Sequence, residues 1–249
     1  MLKGLHLTPD IWLSQVTGFS CWTVDATGTG GDLADSATHS GTSSFYSARV
    51  PVRDVATVRL LSARGFYVVD CSLTFTGPVS APEPPKVAPS DAFFIRPADL
   101  SDATIVSKIA AEAMKTSRFH LDPWFPSETA VRVKSEWARN LVTGLRGSSC
   151  RVAGNDREPL GFIGTIDRDG SEPMSVIDLV AVAPAQQGAG IGSRLVCDWL
   201  RAACESGKRP IVGTQATNSS AVRFYEWLGF RLIDAHYVMH AHGAKEITG

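Results

Sequence analysis

Val176-Ile-Asp178-Leu-Val180-Ala-Val182-Ala-Pro-Ala-Gln-Gln187-Gly188-Ala189-Gly190-Ile191-Gly192-Ser193-Arg-Leu195 decides the fold. An apolar run of β-branched residues reads as a buried strand, and the pattern from Ile191 onward, with Leu195, Trp199 and Ala203 recurring every four residues, reads as an amphipathic helix. Between them lies a glycine-rich turn. The first amides of a helix have no partner within it, and glycine lets backbone approach a ligand closely, so the turn suits a diphosphate. A dinucleotide fingerprint would need Gly-x-Gly-x-x-Gly and an acid about 20 residues on. Neither is present: Gly188, Gly190 and Gly192 have a different spacing, and the next strand, Ile211 to Ala216, ends without an acid.

Outward from the turn, Asn218-Ser-Ser-Ala221-Val-Arg-Phe-Tyr225-Glu226-Trp-Leu-Gly229-Phe230 forms a second block. Gln187 to Gly192 resembles the coenzyme A signature of the GNAT superfamily of N-acetyltransferases, Gln/Arg-x-x-Gly-x-Gly/Ala. The second block is similar to that family's Asn-x-x-Ala-x-x-x-Tyr-Glu-x-x-Gly-Phe. The resemblance implies an α/β (α+β) GNAT fold, a mixed and mostly antiparallel twisted sheet with helices on both faces. It also implies direct transfer of an acetyl group from acetyl-CoA to a primary amine, with no metal.

The family's roles carry over residue by residue. Gln187, Gly188, Ala189, Gly190, Ile191, Gly192 and Ser193 would hold the diphosphate, and backbone groups of Val180 and Val182 would pair with the pantetheine arm. Asn218 and Ala221 fall on the coenzyme-binding positions of the second block, though Asn is equally suited to cap a helix. Tyr225 matches the tyrosine whose hydroxyl can protonate the departing sulfur. Asp178 is the candidate base, because an acid inside an apolar strand is costly unless used or paired; pairing with a nearby Arg is the alternative.

Net charge is −1 and the sequence pI near 6.6, which speaks against a nucleic-acid or membrane surface held by bulk electrostatics. Cys21, Cys71, Cys150, Cys197 and Cys204 are an odd number without Cys-x-x-Cys, as expected of a reduced, cytoplasmic protein. No apolar run approaches the roughly 20 residues that span a bilayer. His236, His240 and His242 share strand parity, but same-face histidines need carboxylate or cysteine help to bind zinc well, so no metal is expected.

The 249 residues divide into an accessory segment (1–77), a proline-rich linker (78–91) and a catalytic domain (92–249). Residues 1–58 carry little periodicity, and Gly28-Thr-Gly30-Gly31 lacks the strand and helix that a phosphate loop requires. Arg59-Leu-Leu-Ser-Ala-Arg-Gly65-Phe66-Tyr-Val-Val-Asp70 aligns with Arg223 to Asp234 at a constant offset, 223 − 59 = 164. This echo suggests a degenerate GNAT-like first half, without a glycine turn and with Leu61 in place of Tyr225. In the catalytic domain, strands are expected at Ala92 to Arg96, Ser149 to Ala153, Leu160 to Asp167 and Ser175 to Val182. Helices are expected from Ser101 and Ser127 and over Ser219 to Leu228, and a final strand pair over Phe230 to His242.

The acceptor is less defined. Thr214-Gln215, Tyr237 and Ser117-Arg118-Phe119 with the Trp137-Ala-Arg-Asn helix are similar to acetyltransferases of nucleotide-linked 4-amino-deoxy sugars, the dTDP-fucosamine type. By that resemblance Arg118, Phe119, Gln215 and His236 are the acceptor candidates, Arg118 for a diphosphate and Phe119 for a sugar or base. The partner is then a small-molecule amine, with a sugar nucleotide favoured and a homodimer left open. Other acceptors in view are a peptide amine, a polyamine or an aminoglycoside. A non-catalytic acyl-CoA sensor is the alternative of another class.

Overall fold

A computed structural model describes residues 5–25, 43–80, 82, 93–155 and 158–243. The Gly28 to Gly31 turn, most of the proline-rich linker and Ala92 lie outside the described residues. Ten strands form one sheet: β1 (His6–Pro9), β2 (Ser20–Asp25), β3 (Ser44–Pro51), β4 (Tyr67–Thr76), β5 (Phe94–Pro97), β6 (Ser149–Gly154), β7 (Pro159–Arg168), β8 (Met174–Val182), β9 (Arg209–Gln215) and β10 (Arg231–Gly243). Their order is β1-β2-β3-β10-β4-β9-β8-β7-β6-β5, with β2/β3 and β8/β9 parallel and every other pair antiparallel. The helices are α1 (Ile11–Thr17), α2 (Val55–Ser62), α3 (Ala103–Ala113), α4 (Arg118–Leu121), α5 (Ser127–Val142), α6 (Ile191–Glu205) and α7 (Ser219–Trp227). The mixed sheet with helices on both faces is as the sequence implies.

Apolar stripes decide which face each helix covers. Ile191, Leu195, Trp199 and Ala203 of α6 pack with Ile177, Val212, Tyr225 and Phe230, while α2 buries Leu61 against Met239 and Ala241. On the other face, α3 and α5 bury Val106, Ile109, Ala138 and Leu141 against Phe162 and Leu179. There α1, α4 and α5 close over Phe45 with Leu13, Phe119 and Val133.

The final strand pair expected over Phe230 to His242 is instead one thirteen-residue strand, β10. Its hairpin partner is not needed, because β4 from the first part of the chain lies between β10 and β9. The arrangement is reciprocal. Ser72 pairs with Gln215 where His236 pairs with Pro51, and Ser72 and His236 pair with each other, so 215 − 51 and 236 − 72 both equal 164. The same offset superposes β3, α2 and β4 on β9, α7 and β10. Asp54 and Asn218 each cap their helix by accepting from the amide three residues on. Gly65 (φ 88°) and Gly229 (φ 84°) end the two helices in the left-handed conformation that favours glycine. Phe66 and Phe230, which follow, are both 3 % exposed.

A buried polar knot fastens β10 to the segment after α4. Asp122 Oδ2 accepts from His240 Nδ1 at 2.7 Å and His242 Nε2 at 2.9 Å, and its Oδ1 accepts from Tyr67 Oη at 2.7 Å and the Trp124 amide at 3.0 Å. Burial would raise the Asp122 carboxyl, but these four donors hold it well below the usual carboxylate range. Burial lowers His240 to about 4, so its ring is neutral, donating from Nδ1 and leaving a buried Nε2 without a partner. In the unfolded chain that histidine titrates near 6.5. Between about pH 6.5 and pH 4 the unfolded state therefore binds a proton that the folded state refuses, so stability falls as pH falls, by about 3 kcal/mol over the window. Denaturant unfolding at pH 8 and pH 5 measures this. His240→Asn, whose amide nitrogen can stand in for Nδ1, should lose most of the slope, and an unchanged slope in that variant would refute the assignment.

Candidate active site

Strands β8 and β9 run side by side only from Met174 and Arg209 to Ile177 and Val212. Beyond that they part. The cause is visible in the register of β8 on β7: Thr165 pairs with Ile177 and Gly164 with Leu179, which leaves Asp178 as an extra residue, a β-bulge that turns the strand. The gap-facing backbone groups of Asp178 to Val182 thus have no strand partner, while Val180 and Val182 send their side chains into the α6 core. An edge of this kind accepts an extended polar ligand by strand-like hydrogen bonding.

The glycine turn sits where β8 ends. A 3₁₀ turn over Pro184–Gln186 leads into Gln187, whose side-chain amide donates to the Val182 carbonyl at 3.3 Å. Gly188 (φ 81°) and Gly190 (φ 80°) are left-handed, a conformation a branched residue adopts only under strain. Gly190 is the N-cap of α6, and its carbonyl accepts from Ser193 Oγ at 2.8 Å and from the Arg194 amide at 3.1 Å. Helices α1, α2 and α7 have Asp10, Asp54 and Asn218 capping their first amides, whereas α6, like α3, α4 and α5, has no side-chain cap. Its exposed N–H groups and dipole therefore face whatever lies at the turn. A Cβ on Gly192 would meet Val182 Cγ2 at 3.6 Å and Phe224 Cζ at 3.9 Å, so the turn, the end of β8 and α7 converge there.

Tyr225 on α7 is 4 % exposed and packs among Phe75, Phe224 and Phe230, in the core that also takes up Val180, Val182, Ala189 and Ala221. Its hydroxyl has no hydrogen-bond partner among the described residues, and burial raises its pKa, so it stays protonated. Asn218 Oδ1 accepts from the Ala221 amide at 3.2 Å and from Ser220 Oγ at 2.9 Å, which makes it the cap of α7.

A parted pair of parallel strands, an uncapped helix at a Gln-x-x-Gly-x-Gly turn and a protonated tyrosine on the next helix are joined in one place. Residues 113–230 match the acetyltransferase (GNAT) family. The chain has a GNAT acetyltransferase domain. The spore coat polysaccharide biosynthesis protein SpsD of Bacillus subtilis is 28 % identical over 204 residues, covering 81 % of this chain and 68 % of SpsD. A solved tandem GNAT protein from the clavulanic acid biosynthesis pathway shares the fold at 14 % identity and TM-score 0.61, over 96 % of this chain and 79 % of that one. A GNAT-family structure from Novosphingobium aromaticivorans does so at 17 % identity and TM-score 0.55, over 89 % and 83 %.

On the sheet face opposite α6 and α7, strands of the GNAT domain pair with strands of the first part of the chain. Gln215, Ser72, His236 and Pro51 form one row across β9, β4, β10 and β3, so two of the acceptor candidates, Gln215 and His236, share a row two strands apart. The His236 ring is half-buried, with Nδ1 3.8 Å from Asp234. In the next row lies Asp70, buried and bonded to Thr217 Oγ1 at 3.1 Å. Helices α4 and α5 pack on this face over Phe45. Arg118 donates to Ser47 Oγ, and its guanidinium lies 4.6 Å from the centre of the Phe119 ring. Phe119 itself is 2 % exposed within the Phe45, Phe125 and His240 cluster, so the expected wall for a sugar or base is a support for Arg118.

Asp178 is already occupied. Arg146 donates to both of its oxygens, from Nε at 2.6 Å and from a terminal nitrogen at 2.8 Å, and Trp137 Nε1 donates at 2.6 Å. Of the two readings the sequence leaves open, the paired carboxylate is the one this geometry matches. Arg146 and Lys134 lie 4.4 and 4.6 Å from the centre of the Trp137 ring. Neither cation was singled out in the sequence. Lys134 did carry a signal, since it falls inside the buried stripe of α5 beside Val133 and Ala138.

Proposed function

We propose that this GNAT acetyltransferase takes its acetyl group from acetyl-CoA and delivers it to the amino group of a nucleotide-linked amino-deoxy sugar. The observation that carries the coenzyme half is the uncapped start of α6 beside the opened edge of β8. The amides from Gly188 to Ser193 would take the diphosphate, and the unpaired edge from Asp178 to Val182 the pantetheine arm. Bound there, acetyl-CoA supplies the activated acyl group. A backbone amide of that edge is a fixed donor for an acyl oxygen, in a site where fixed dipoles are worth most. Tyr225 holds a proton at Oη and has an apolar surround that keeps it there. Asp178 enters as the holder of Arg146 and Trp137 in place of a free base, and the amine would lose its proton to water.

The acceptor half rests on the kinship with a polysaccharide biosynthesis protein and on Arg118, which donates to Ser47 on β3. We further read residues 1–77 as a degenerate GNAT-like half, on the strength of the shared offset, the missing glycine turn and Leu61 at the tyrosine position. Incubation with acetyl-CoA and a panel of dTDP- and UDP-linked amino sugars, peptide amines, polyamines and aminoglycosides, read by mass spectrometry, tests the reading. A mass gain confined to the sugar nucleotides is expected. Acetylation of polyamines or peptides alone would replace the acceptor, and acetyl-CoA binding without any acetylated product would favour the sensor.

A further inference from the structure

The bulge that turns β8 away from β9 is gripped from α5. On β7 the residues that flank it are Gly164 and Thr165, and the end of α5 with the loop after it is seated on that pair. A Cβ on Gly164 would collide with the Leu141 side chain. One on Gly147 would come to 2.8 Å from the Thr165 carbonyl oxygen, which accepts from the Ser148 amide at 2.7 Å. So close a seat fixes where Arg146 stands. From there its guanidinium takes both oxygens of Asp178, the extra residue of the bulge, while Trp137, one helical turn before Leu141, donates a third bond. The Trp137 ring carries the Arg146 guanidinium at 4.4 Å and meets Trp12 of α1 edge-on at 5.9 Å, so the first part of the chain braces the grip. The Asp178 side chain is 9 % exposed, and three donors to a carboxylate at that depth outweigh the ladder pairing that a bulge forfeits.

Strands β2 and β3 supply the contrast. Val24 stands beside Ala48 as Ile177 stands beside Val212, and 212 − 48 is again 164. An aspartate follows in both strands. Asp25 is exposed and pairs with His6 in a register on β1 that has no shift, whereas Asp178, held by Arg146 and Trp137, is bulged. We propose that Arg146 and Trp137 are positioning residues for the coenzyme. By holding Asp178 out of the β7 ladder they set the angle at which the edge from Leu179 to Val182 faces the gap, a deepening that rests on the coenzyme reading above. They touch neither coenzyme nor acceptor in this role. The edge must meet an extended arm amide by amide, and a displacement of about 1 Å there is enough to spoil the alignment.

The full chain and its Arg146→Gln, Arg146→Lys and Trp137→Phe variants test this by calorimetric titration with acetyl-CoA and with 3′-phosphoadenosine 5′-diphosphate, which ends at the diphosphate and has no pantetheine arm. Arg146→Gln should weaken acetyl-CoA about 10-fold or more, as loss of one or two strand-like hydrogen bonds does, and leave the shorter nucleotide unchanged. Arg146→Lys, which keeps the charge and can keep one bond, should recover part of the loss, and Trp137→Phe should show a smaller one. Amide exchange read by mass spectrometry should quicken over residues 174–182 and stay unchanged over α6 and β9. Equal weakening of both ligands would mean general damage to the site, and unchanged acetyl-CoA affinity in all three variants would leave the grip without a role; either result overturns the proposal. The exchange measurement separates this proposal from the reading beneath it. A wild type that binds no acetyl-CoA removes the coenzyme reading, and with it the role in binding, while faster exchange confined to β8 would still identify the grip as the holder of the bulge.

Discussion

Tyr225→Phe is expected to lower kcat by about 10²- to 10⁴-fold, the range that a positioned general acid supplies. The substitution removes one oxygen from a ring packed among Phe75, Phe224 and Phe230, and that oxygen has no partner among the described residues to leave behind. Fold and coenzyme affinity should therefore hold. An interaction made only in the transition state lowers kcat and kcat/KM together, and that pattern identifies the role better than the size of the loss. Burial raises the tyrosine above its usual value, so the phenol remains a donor across the working range, and an alkaline limb caused by its ionisation should lie well above pH 10 in the wild type. Steady-state kinetics with a direct measurement of coenzyme binding checks all of this. Normal turnover would return Tyr225 to a core aromatic, and lost coenzyme affinity would make it a binding residue.

What was legible in the sequence was local. The turn from Gln187 to Gly192, the apolar run of β8 and the Asn218 to Phe230 block each contain their own signal within a few residues. So do the four-residue stripes of α5 and α6, where Val133, Leu141, Ile191, Leu195 and Ala203 are all buried as the periodicity demands. The first 58 residues read poorly because their strands are short and bounded by polar residues, and β1 through β3 owe their place to pairing with each other and with β10. The role of β4 was hidden for a related reason. Strand β4, Tyr-Val-Val-Asp-Cys-Ser-Leu-Thr-Phe-Thr, alternates as a strand with one polar face does wherever it lies in a sheet, so composition could not say that β9 and β10 are held apart by residues 67–76. The offset of 164 carried that information, yet only the pairing of Ser72 with His236 turns a sequence echo into a symmetry axis. The salt bridge of Arg146 with Asp178 spans 32 positions and the bond of His240 with Asp122 spans 118, separations at which no periodicity reaches.

The sheet order makes a second strong expectation, that residues 92–249 alone will not form a folded monomer. Taken from composition, the proline-rich linker predicts the opposite, a catalytic domain able to stand by itself and bind coenzyme. The strand order sets that aside. Both neighbours of β10, β3 and β4, come from the first part of the chain, and β9 would retain only its short parallel pairing with β8. Removing β4 also takes Phe75, 1 % exposed, out of the core shared by α6 and Tyr225. Loss of a buried Phe side chain alone costs about 3–5 kcal/mol, against a total stability for a domain of about 5–15 kcal/mol. The knot at Asp122 loses its Tyr67 donor, and three strand edges are left unpaired, both of β10 and one of β9. Because β10 is related to β4 by the same offset, the truncated chain has one remedy, which is to place β10 of a second copy beside β9. Size-exclusion chromatography with light scattering should therefore find strand-exchanged dimers or aggregates. A truncated protein that is monomeric, unfolds cooperatively and binds acetyl-CoA at wild-type affinity would show that β4 is dispensable and that the first half is a separable attachment.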